Sequence, residues 1–193
     1  MKSESTEAPV FETDELLALA RLDLERGNVE QALSKVKTTL QQDASSLDAM
    51  SLAARIYAQL GLFERARDWY KKIVKENPQA VLESFQLGMT YFDSGESEQA
   101  LGIWDKILKV EPVHPPTLFY KGLALAQTGQ TADAEHSLKT LLQSAPSENL
   151  YFGKAKELLD AMKTGQFQFM NNRQISEQQA AVVAPDNLYK TEH

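Results

Sequence analysis

Residues 87–112 read LGMTYFDSGESEQALGIWDKILKVEP. Apolar residues recur at helical spacing on both sides of Gly95, so this stretch predicts two amphipathic helices joined by a tight turn. Gly95 is suited to the left-handed conformation that ends the first helix. The second helix is expected from Glu98 to Val110, because Pro112 cannot continue a helix and disfavours helical geometry in the residue before it.

The same arrangement returns four times at intervals of 34 residues. Each copy has a glycine at the turn, an alanine five residues later, and an alanine or proline where the second helix ends. The four sets are Gly27, Ala32 and Ala44; Gly61, Ala66 and Pro78; Gly95, Ala100 and Pro112; and Gly129, Ala134 and Pro146. A strict period of this length indicates one helix pair stacked on copies of itself.

Small and large residues take different positions within each copy. The alanine after the turn is expected where the two helices cross, since only a small side chain lets the backbones come close. A matching small residue stands in the first helix, at Ala20, Ala54, Gly88 and Gly122. Larger apolar residues are expected to fill the space between successive pairs, and these are Tyr70, Ile73, Trp104, Ile107, Leu138 and Leu141.

These residues resemble the tetratricopeptide repeat. The third copy meets the family pattern almost completely, with Leu87, Gly88, Tyr91, Gly95, Ala100, Trp104, Ile107 and Pro112. The first copy departs from it at Asp23, Thr39 and Ala44, as expected of a terminal repeat that has no neighbour on one side. The resemblance covers residues 13–146 and implies an all-α fold, a right-handed superhelical stack of antiparallel helix hairpins.

The remaining segments are assigned by composition and periodicity. Residues 147–163 predict a helix that starts after Ser147 and caps the last hairpin, as helical stacks require. Residues 1–12 are polar and acidic and are expected to be disordered. Residues 164–193 form a tail rich in glutamine and asparagine, which predicts a flexible segment.

Composition excludes several classes of protein. The net charge of −7 over 193 residues argues against a protein that binds nucleic acid through its phosphates. The absence of cysteine excludes disulfides and thiolate chemistry. No apolar run is long enough to insert into a membrane, and the N-terminus lacks the apolar stretch of a signal peptide. A cytoplasmic protein is therefore expected, or a periplasmic one if an upstream signal or anchor was removed.

The sequence contains no recognisable catalytic or metal-binding arrangement. His114, His136 and His193 lie in separate contexts, and none has a carboxylate, serine or second histidine at a spacing typical of a catalytic or metal site. Every turn glycine is explained by the repeat, which leaves no phosphate-binding loop. We therefore expect no enzymatic activity, no cofactor and no metal.

The resemblance implies a concave binding groove lined by the first helix of each hairpin. When the sequence is placed on the family's repeat, one part of this groove is apolar. The residues that we predict to anchor a peptide there are Phe85, Met89, Phe92, Phe119 and Leu123. Methionine and aromatic side chains can repack around different partners. The alternative is that Phe85, Met89 and Phe119 are core residues, because apolar residues at helical spacing usually are.

The groove is expected to change character in the first two copies. Arg21 and Arg55 occupy the same position of successive repeats, so their guanidinium groups are expected to be neighbours that bind a carboxylate of the ligand. The alternative is that they pair with nearby acids such as Asp48 and Glu25. The basic clamp with which some family members hold the C-terminus of heat-shock chaperones is absent, since its positions hold residues such as Leu17, Leu52 and Gln86.

The tail contains one apolar cluster, formed by Phe167, Phe169 and Met170. We expect this cluster to dock into the apolar part of the groove. Docking within the same molecule would compete with partners, whereas docking into a neighbouring molecule would produce a homo-oligomer.

Together these features predict a non-catalytic scaffold or adaptor that binds a peptide or helix of a partner protein. The alternative is an assembly chaperone of bacterial envelope complexes. Residues 102–159 resemble the repeat modules of cytochrome c maturation and pilus biogenesis factors, although the shared tryptophan and proline positions, Trp104 and Pro112, occur in many repeat proteins.

Overall fold

The computed structural model describes residues 11–169, and the side chains of residues 11–167. This part of the chain is all-α. Its α-helices are α1 (Thr13–Glu25), α2 (Val29–Gln42), α3 (Leu47–Gln59), α4 (Phe63–Glu76), α5 (Val81–Asp93), α6 (Ser97–Val110), α7 (Pro115–Gln127), α8 (Thr131–Ser144) and α9 (Leu150–Lys163). A short 3-10 helix, η1 (Gln166–Phe169), follows α9. Helices α1 to α8 follow one another along the chain in four consecutive pairs, each joined by a short turn and called a hairpin. We call α1, α3, α5 and α7 the leading helices and α2, α4, α6 and α8 the trailing helices.

The chain divides into two compact units. The first unit is Met1–Thr90 and the second is Tyr91–His193. The division falls within α5, which the repeat pattern alone does not indicate.

Each hairpin turns at a glycine with positive φ. Gly95 has a φ of 84°, and its N–H donates to the Phe92 carbonyl oxygen at 3.0 Å. The following N–H, that of Glu96, donates to the Tyr91 carbonyl oxygen at 2.8 Å. This pattern satisfies the last carbonyl groups of the helix, and it needs a residue that tolerates the left-handed conformation. The three other hairpins turn in the same way, at Gly27, Gly61 and Gly129.

The first unit is packed as the repeat pattern predicts. Helix α1 packs against α2, α2 against α3, and α3 against α4. The turn alanines Ala32 and Ala66 are completely buried, and so is Ala54 in the matching position of α3. Tyr70 fills the space predicted for a large residue and is 2% exposed. Close approach of the helices at small residues therefore sets the geometry of these hairpins.

Two of the three departures of the first copy from the repeat pattern have local explanations. Asp23, at the usual tyrosine position, accepts a hydrogen bond from Lys35 Nζ at 2.5 Å, so an ion pair joins α1 to α2. This hydrogen bond lowers the pKa of Asp23. Thr39, at a usually apolar position, is completely buried, and its Oγ1 donates to the Lys35 carbonyl oxygen at 3.1 Å. The buried hydroxyl group therefore keeps a hydrogen-bond partner.

The second unit repeats the same packing around a large aromatic residue. Trp104, Leu138 and Leu141 are buried, as predicted for residues between hairpins. In the last hairpin, a Cβ atom added to Gly122 would lie 2.7 Å from Leu138 Cγ. This distance confirms that the small residue of the leading helix allows a close crossing.

Helix α9 packs against both α7 and α8, and so covers the last hairpin as predicted. Its first residue is Leu150, and its N-cap is Asn149, whose Oδ1 accepts a hydrogen bond from the Tyr151 N–H at 2.9 Å. Ser147, the expected cap, instead donates its hydroxyl hydrogen to Glu148 at 3.0 Å. Asparagine and serine are equally good N-caps. Which of the two residues caps α9 is therefore decided by its distance from the first buried residue of the helix.

Candidate binding surfaces

Side chains of consecutive leading helices meet within the first unit. Ser51 Oγ of α3 donates a hydrogen bond to Glu83 Oε1 of α5 at 3.2 Å. Arg55 lies in the same region, because the charges of Arg55 and Glu83 both act on the buried hydroxyl of Tyr70. Burial is the main influence there and raises the pKa of Tyr70. These half-buried polar residues form one charged patch on α3 and α5.

Arg21 occupies the equivalent position of α1. Its guanidinium group lies 3.8 Å from the Asp48 carboxylate of α3, and both side chains are largely exposed to solvent. For Arg21 this is the contact that the alternative interpretation expects. An exposed ion pair of this length contributes little to stability and can exchange for another carboxylate. Binding of a ligand carboxylate by Arg21 and Arg55 stays a prediction.

The five residues predicted to line the apolar part of the groove are all buried. Their side chains keep between 3% and 8% of their surface accessible, and they are Phe85, Met89, Phe92, Phe119 and Leu123. Such residues offer little accessible surface to a ligand. This burial is what the alternative interpretation, in which they are core residues, expects. Their role as peptide anchors remains a prediction.

Aromatic neighbours account for much of this burial in the second unit. The Phe92 ring lies 5.8 Å from the Trp104 ring and 6.2 Å from the Tyr120 ring. The Phe119 ring lies 5.3 Å from the Tyr120 ring and 5.6 Å from the Tyr151 ring of α9. These spacings are typical of favourable aromatic pairs. Helix α9 therefore covers part of the face on which the sequence predicts an open groove.

Asp93 is a further candidate residue, for which the sequence predicts no role. It is exposed at the end of α5, yet burial of its carboxyl group raises the pKa to about 6. Burial is the cause of this shift, and the charge of Asp93 in turn acts on the buried hydroxyl of Tyr120. Carboxyl groups whose pKa is raised by burial are found frequently at functional sites. The 34-residue period gives one sequence signal for a role of Asp93. Asp93 stands at the same position of its repeat as Gln59 and Gln127, which are expected to face the predicted groove.

Tyr151 presents an unsatisfied polar group in the second unit. Its hydroxyl oxygen is buried and has no hydrogen-bond partner among residues 11–167. Burial is also the main cause that raises the pKa of Tyr120, and the charges of Tyr151 and Asp93 raise it further. Tyr120 therefore lies within reach of the charges of both Tyr151 and Asp93. Most buried hydroxyl groups have a partner, so this exception calls for an explanation.

The predicted docking cluster of the tail falls largely outside the described side chains. Phe167 is half-buried in η1, which packs against α9 after a turn at Gly165. The side chain of Phe169 and the whole of Met170 lie outside the described residues. Docking of this cluster in a groove stays a prediction.

The described residues hold no group of three or more histidine, aspartate or glutamate side chains that could bind a metal ion. Within the same part of the chain, no helix has both the length and the apolar character needed to cross a membrane.

Two curated proteins are similar to part of this chain. The human Protein O-mannosyl-transferase TMTC1 is 32% identical over 87 residues, which are 45% of this chain and 10% of that protein. Superkiller protein 3 of Saccharomyces cerevisiae is 23% identical over 84 residues, which are 44% of this chain and 6% of that protein. The matching segments thus span about a tenth or less of these curated relatives.

Solved structures resemble the fold over most of its length. A tetratricopeptide repeat protein from Parabacteroides merdae superposes with a TM-score of 0.69 at 18% identity, covering 86% of this chain and 66% of that one. MamA from Desulfovibrio magneticus RS-1 gives a TM-score of 0.66 at 19% identity, covering 89% and 99%. A thermophilic repeat protein of Thermus thermophilus gives 0.61 at 22% identity, covering 92% and 94%. At these identities the likeness establishes the fold alone.

The model of the tetratricopeptide repeat family matches twice, over residues 17–81 and 85–149. The two matches cover more than half of the chain and include most of each hairpin. The chain therefore belongs to the tetratricopeptide repeat family.

Proposed function

We propose that this protein is a non-catalytic scaffold that binds a peptide or helix of a partner protein on the exposed faces of its leading helices. The match to the tetratricopeptide repeat family carries this proposal. The fold is consistent with a protein–protein interaction scaffold, since stacked helical repeats present extended surfaces on which other chains bind. Accessible polar residues, rather than the buried phenylalanines, are the first contacts that a partner would meet.

Three of these accessible residues are Arg21, Gln59 and Gln127. They lie in α1, α3 and α7, at or next to the position that the repeat frame assigns to binding. The predicted anchors Phe85 and Phe119 would contribute through the small parts that remain accessible. A test based on charged residues at Phe85 and Phe119 would confuse unfolding with loss of binding, because both side chains are buried.

The proposal is tested by affinity capture from the native host. We compare the intact chain with a triple variant of the leading helices, Arg21→Glu, Gln59→Glu and Gln127→Glu. The matched control is a double variant of the trailing helices, Lys75→Glu and Lys109→Glu, which changes the formal charge equally at exposed positions. We expect the triple variant to lose partners that the intact chain and the control both retain. Equal losses in the two variants, or no loss in the triple variant, would count against binding by the leading helices.

We further propose that the tail regulates this surface through Phe167, Phe169 and Met170. The half-buried position of Phe167, next to α9, supports an apolar role for the start of the tail. The variant Phe167→Ser, Phe169→Ser and Met170→Ser is compared with Gln166→Ser for partner affinity and for mass by light scattering. Tighter binding indicates a built-in competitor, and a lower mass indicates self-assembly. Unchanged affinity and mass would dismiss both roles.

A further inference from the structure

Helix α4 carries basic and aromatic side chains on one face. Arg65, Trp69 and Lys72 stand four and three residues apart, which places them on the same side of the helix. The guanidinium carbon of Arg65 lies 5.7 Å from the centre of the Tyr57 ring of α3, and the ammonium nitrogen of Lys72 lies 4.3 Å from the centre of the Trp69 ring. Arg65 and Lys72 are exposed, and Trp69 is half-buried. We call Arg65, Trp69 and Lys72 the α4 stripe.

The aromatic rings position the two cations without neutralising them. A cation above a ring is attracted by the quadrupole of the ring and keeps its full charge. Ammonium and guanidinium groups have several N–H donors, so a cation that rests on a ring still has donors for a carboxylate. The α4 stripe therefore presents two positioned positive charges with the accessible part of Trp69 between them.

The repeat itself does not require these three residues. The positions 34 residues before and after them, in the other hairpins, hold neither a tryptophan nor two cations with an aromatic residue between them. The equivalent sets are Gln31, Lys35 and Thr38; Gln99, Ile103 and Lys106; and Asp133, Ser137 and Thr140. The α4 stripe is therefore specific to the second hairpin, and the geometry that all four hairpins share does not explain it.

Helix α4 is also the most basic of the trailing helices. It contains five arginine and lysine residues against three aspartate and glutamate residues, whereas α2 has an excess of one basic residue and α6 and α8 have none. The chain as a whole has a net charge of −7, which repels a long polyanion such as nucleic acid. A short acidic segment is attracted mainly by the basic helix beside it, because salt screens the more distant charges.

We propose that the α4 stripe binds an acidic helix of a partner protein, with one carboxylate at Arg65, another at Lys72 and an apolar side chain against Trp69. The site belongs to a trailing helix, so it is a second binding surface in addition to the one proposed above. Arginine and tryptophan are enriched among the residues that contribute most to binding at protein interfaces.

The spacing of the α4 stripe predicts the spacing of its ligand. In a partner helix that lies alongside α4, residues i, i+3 and i+7 share one face and extend over about 10 Å. In the antiparallel orientation, acidic residues at i and i+7 meet Lys72 and Arg65, and an apolar residue at i+3 meets Trp69. The recognised pattern is thus acidic, apolar and acidic at these three positions.

The test uses the two tryptophans of the chain as reporters in an NMR titration. The indole N–H signals of the isotope-labelled, full-length protein are assigned with Trp69→Phe, and Trp104 is completely buried and so provides an internal reference. The probe is an alanine-based helical peptide with glutamate, leucine and glutamate at i, i+3 and i+7. One comparison peptide has lysine in place of both glutamates, and a second has the same composition with the three residues moved to different faces.

We expect the probe to shift the Trp69 signal and to leave the Trp104 signal in place, while neither comparison peptide shifts the Trp69 signal. The double variant Arg65→Gln and Lys72→Gln should weaken binding about fivefold or more, since each exposed ion pair contributes a factor of about two to five. The control is Lys37→Gln with Lys75→Gln, which makes the same change of charge at exposed residues of α2 and α4. Lys75 lies on another side of α4, because each residue of a helix is rotated by about 100° from the last. The control should bind as the wild type does, and melting curves establish that each variant is folded.

Each of the other outcomes overturns the role of the α4 stripe. These outcomes are a Trp69 signal that the probe does not shift, equal binding of the probe and a comparison peptide, and equal affinity in wild type and the Arg65 and Lys72 variant. An oligothymidine or vesicles of phosphatidylserine that shift the Trp69 signal more than the probe would assign the stripe to nucleic acid or to a lipid surface instead. None of these results affects the proposed function, which depends on the leading helices.

Discussion

The ring of Tyr151 in α9 lies 5.6 Å from the ring of Phe119 in α7. Phe119 occupies a position that the repeat frame assigns to ligand binding, and yet it is only 8% exposed. Helix α9 therefore does more than cover the end of the last hairpin. It places Tyr151 within an aromatic cluster that would otherwise be more accessible. The buried hydroxyl group of Tyr151 has no hydrogen-bond partner among the residues that the structure describes.

The first prediction concerns that hydroxyl group. Tyr151→Phe keeps the ring contacts with Phe119 and Tyr120 but removes a buried oxygen that has no partner in the described structure. We expect the free energy of unfolding to rise by about 1 kcal/mol, because an unsatisfied buried group is removed at little cost in packing. Urea denaturation measures this change. A loss of stability would show that the hydroxyl group has a partner, such as bound water, that the variant forfeits.

Tyr151→Ala supplies the matched comparison. It removes the ring as well as the hydroxyl group, so it creates a cavity beside Phe119. We expect it to lower the free energy of unfolding by about 3 kcal/mol or more. The opposite signs of the two substitutions distinguish the contribution of the ring from that of the hydroxyl group.

The second prediction concerns the close helix crossing in the last hairpin. Gly122→Ala would place a methyl group 2.7 Å from Leu138 Cγ, which is the branch point of a completely buried side chain. The helices must separate to relieve this contact, at a cost of about 1–3 kcal/mol. This cost exceeds the gain in helix propensity, which is about 1 kcal/mol. We therefore expect a lower melting temperature.

Gly102 provides the control for Gly122. It lies on the exposed face of α6, and an added Cβ would meet no atom within 4 Å. Gly102→Ala should therefore raise stability by about 0.5–1 kcal/mol through helix propensity alone. If both variants are stabilised equally, the crossing at Gly122 is less tight than the structure indicates.

The third prediction concerns the dependence of stability on pH. The folded state raises the pKa of Asp93 from 3.8 to about 6 and so favours its protonated form. The stabilising effect of the protonated carboxyl group is complete at low pH and is lost as the pH rises through about 6. We expect Asp93→Asn to match the wild type near pH 4 and to be more stable than the wild type near pH 8.

Glu98→Gln is the control for the pH series, because it removes an exposed carboxyl group from α6. The difference in melting temperature between wild type and Asp93→Asn should grow between about pH 4 and pH 7. A difference that does not vary with pH, or that has the opposite sign, would indicate that the Asp93 carboxylate is paired in solution.

The sequence predicted the fold well because its signals were local and repeated. The glycine turns, the buried alanines and the large residues between hairpins all recur at fixed positions, and each has a direct steric reason. The sequence does not identify the cap of α9, since Ser147 and Asn149 are both good N-caps and only packing distinguishes them.

The binding surface was harder to predict from the sequence. Periodicity shows that Phe85 and Phe119 lie on an apolar face of a helix, but it does not show whether another element covers that face. The structure buries both. Asp93 was missed for the opposite reason, because a single acid on a helix usually belongs to a solvated face. Only the tertiary structure shows that burial raises the pKa of its carboxyl group and that its charge acts on the buried Tyr120.

The most direct test of the central claim is photo-crosslinking to a captured partner. A photoreactive phenylalanine is placed at Gln59 or Gln127 on the leading helices, and at Glu64 or Glu98 on the trailing helices; all four positions are exposed. If a partner binds the leading helices, covalent adducts form from Gln59 or Gln127 and not from Glu64 or Glu98. Adducts that form only from the trailing helices would contradict the account.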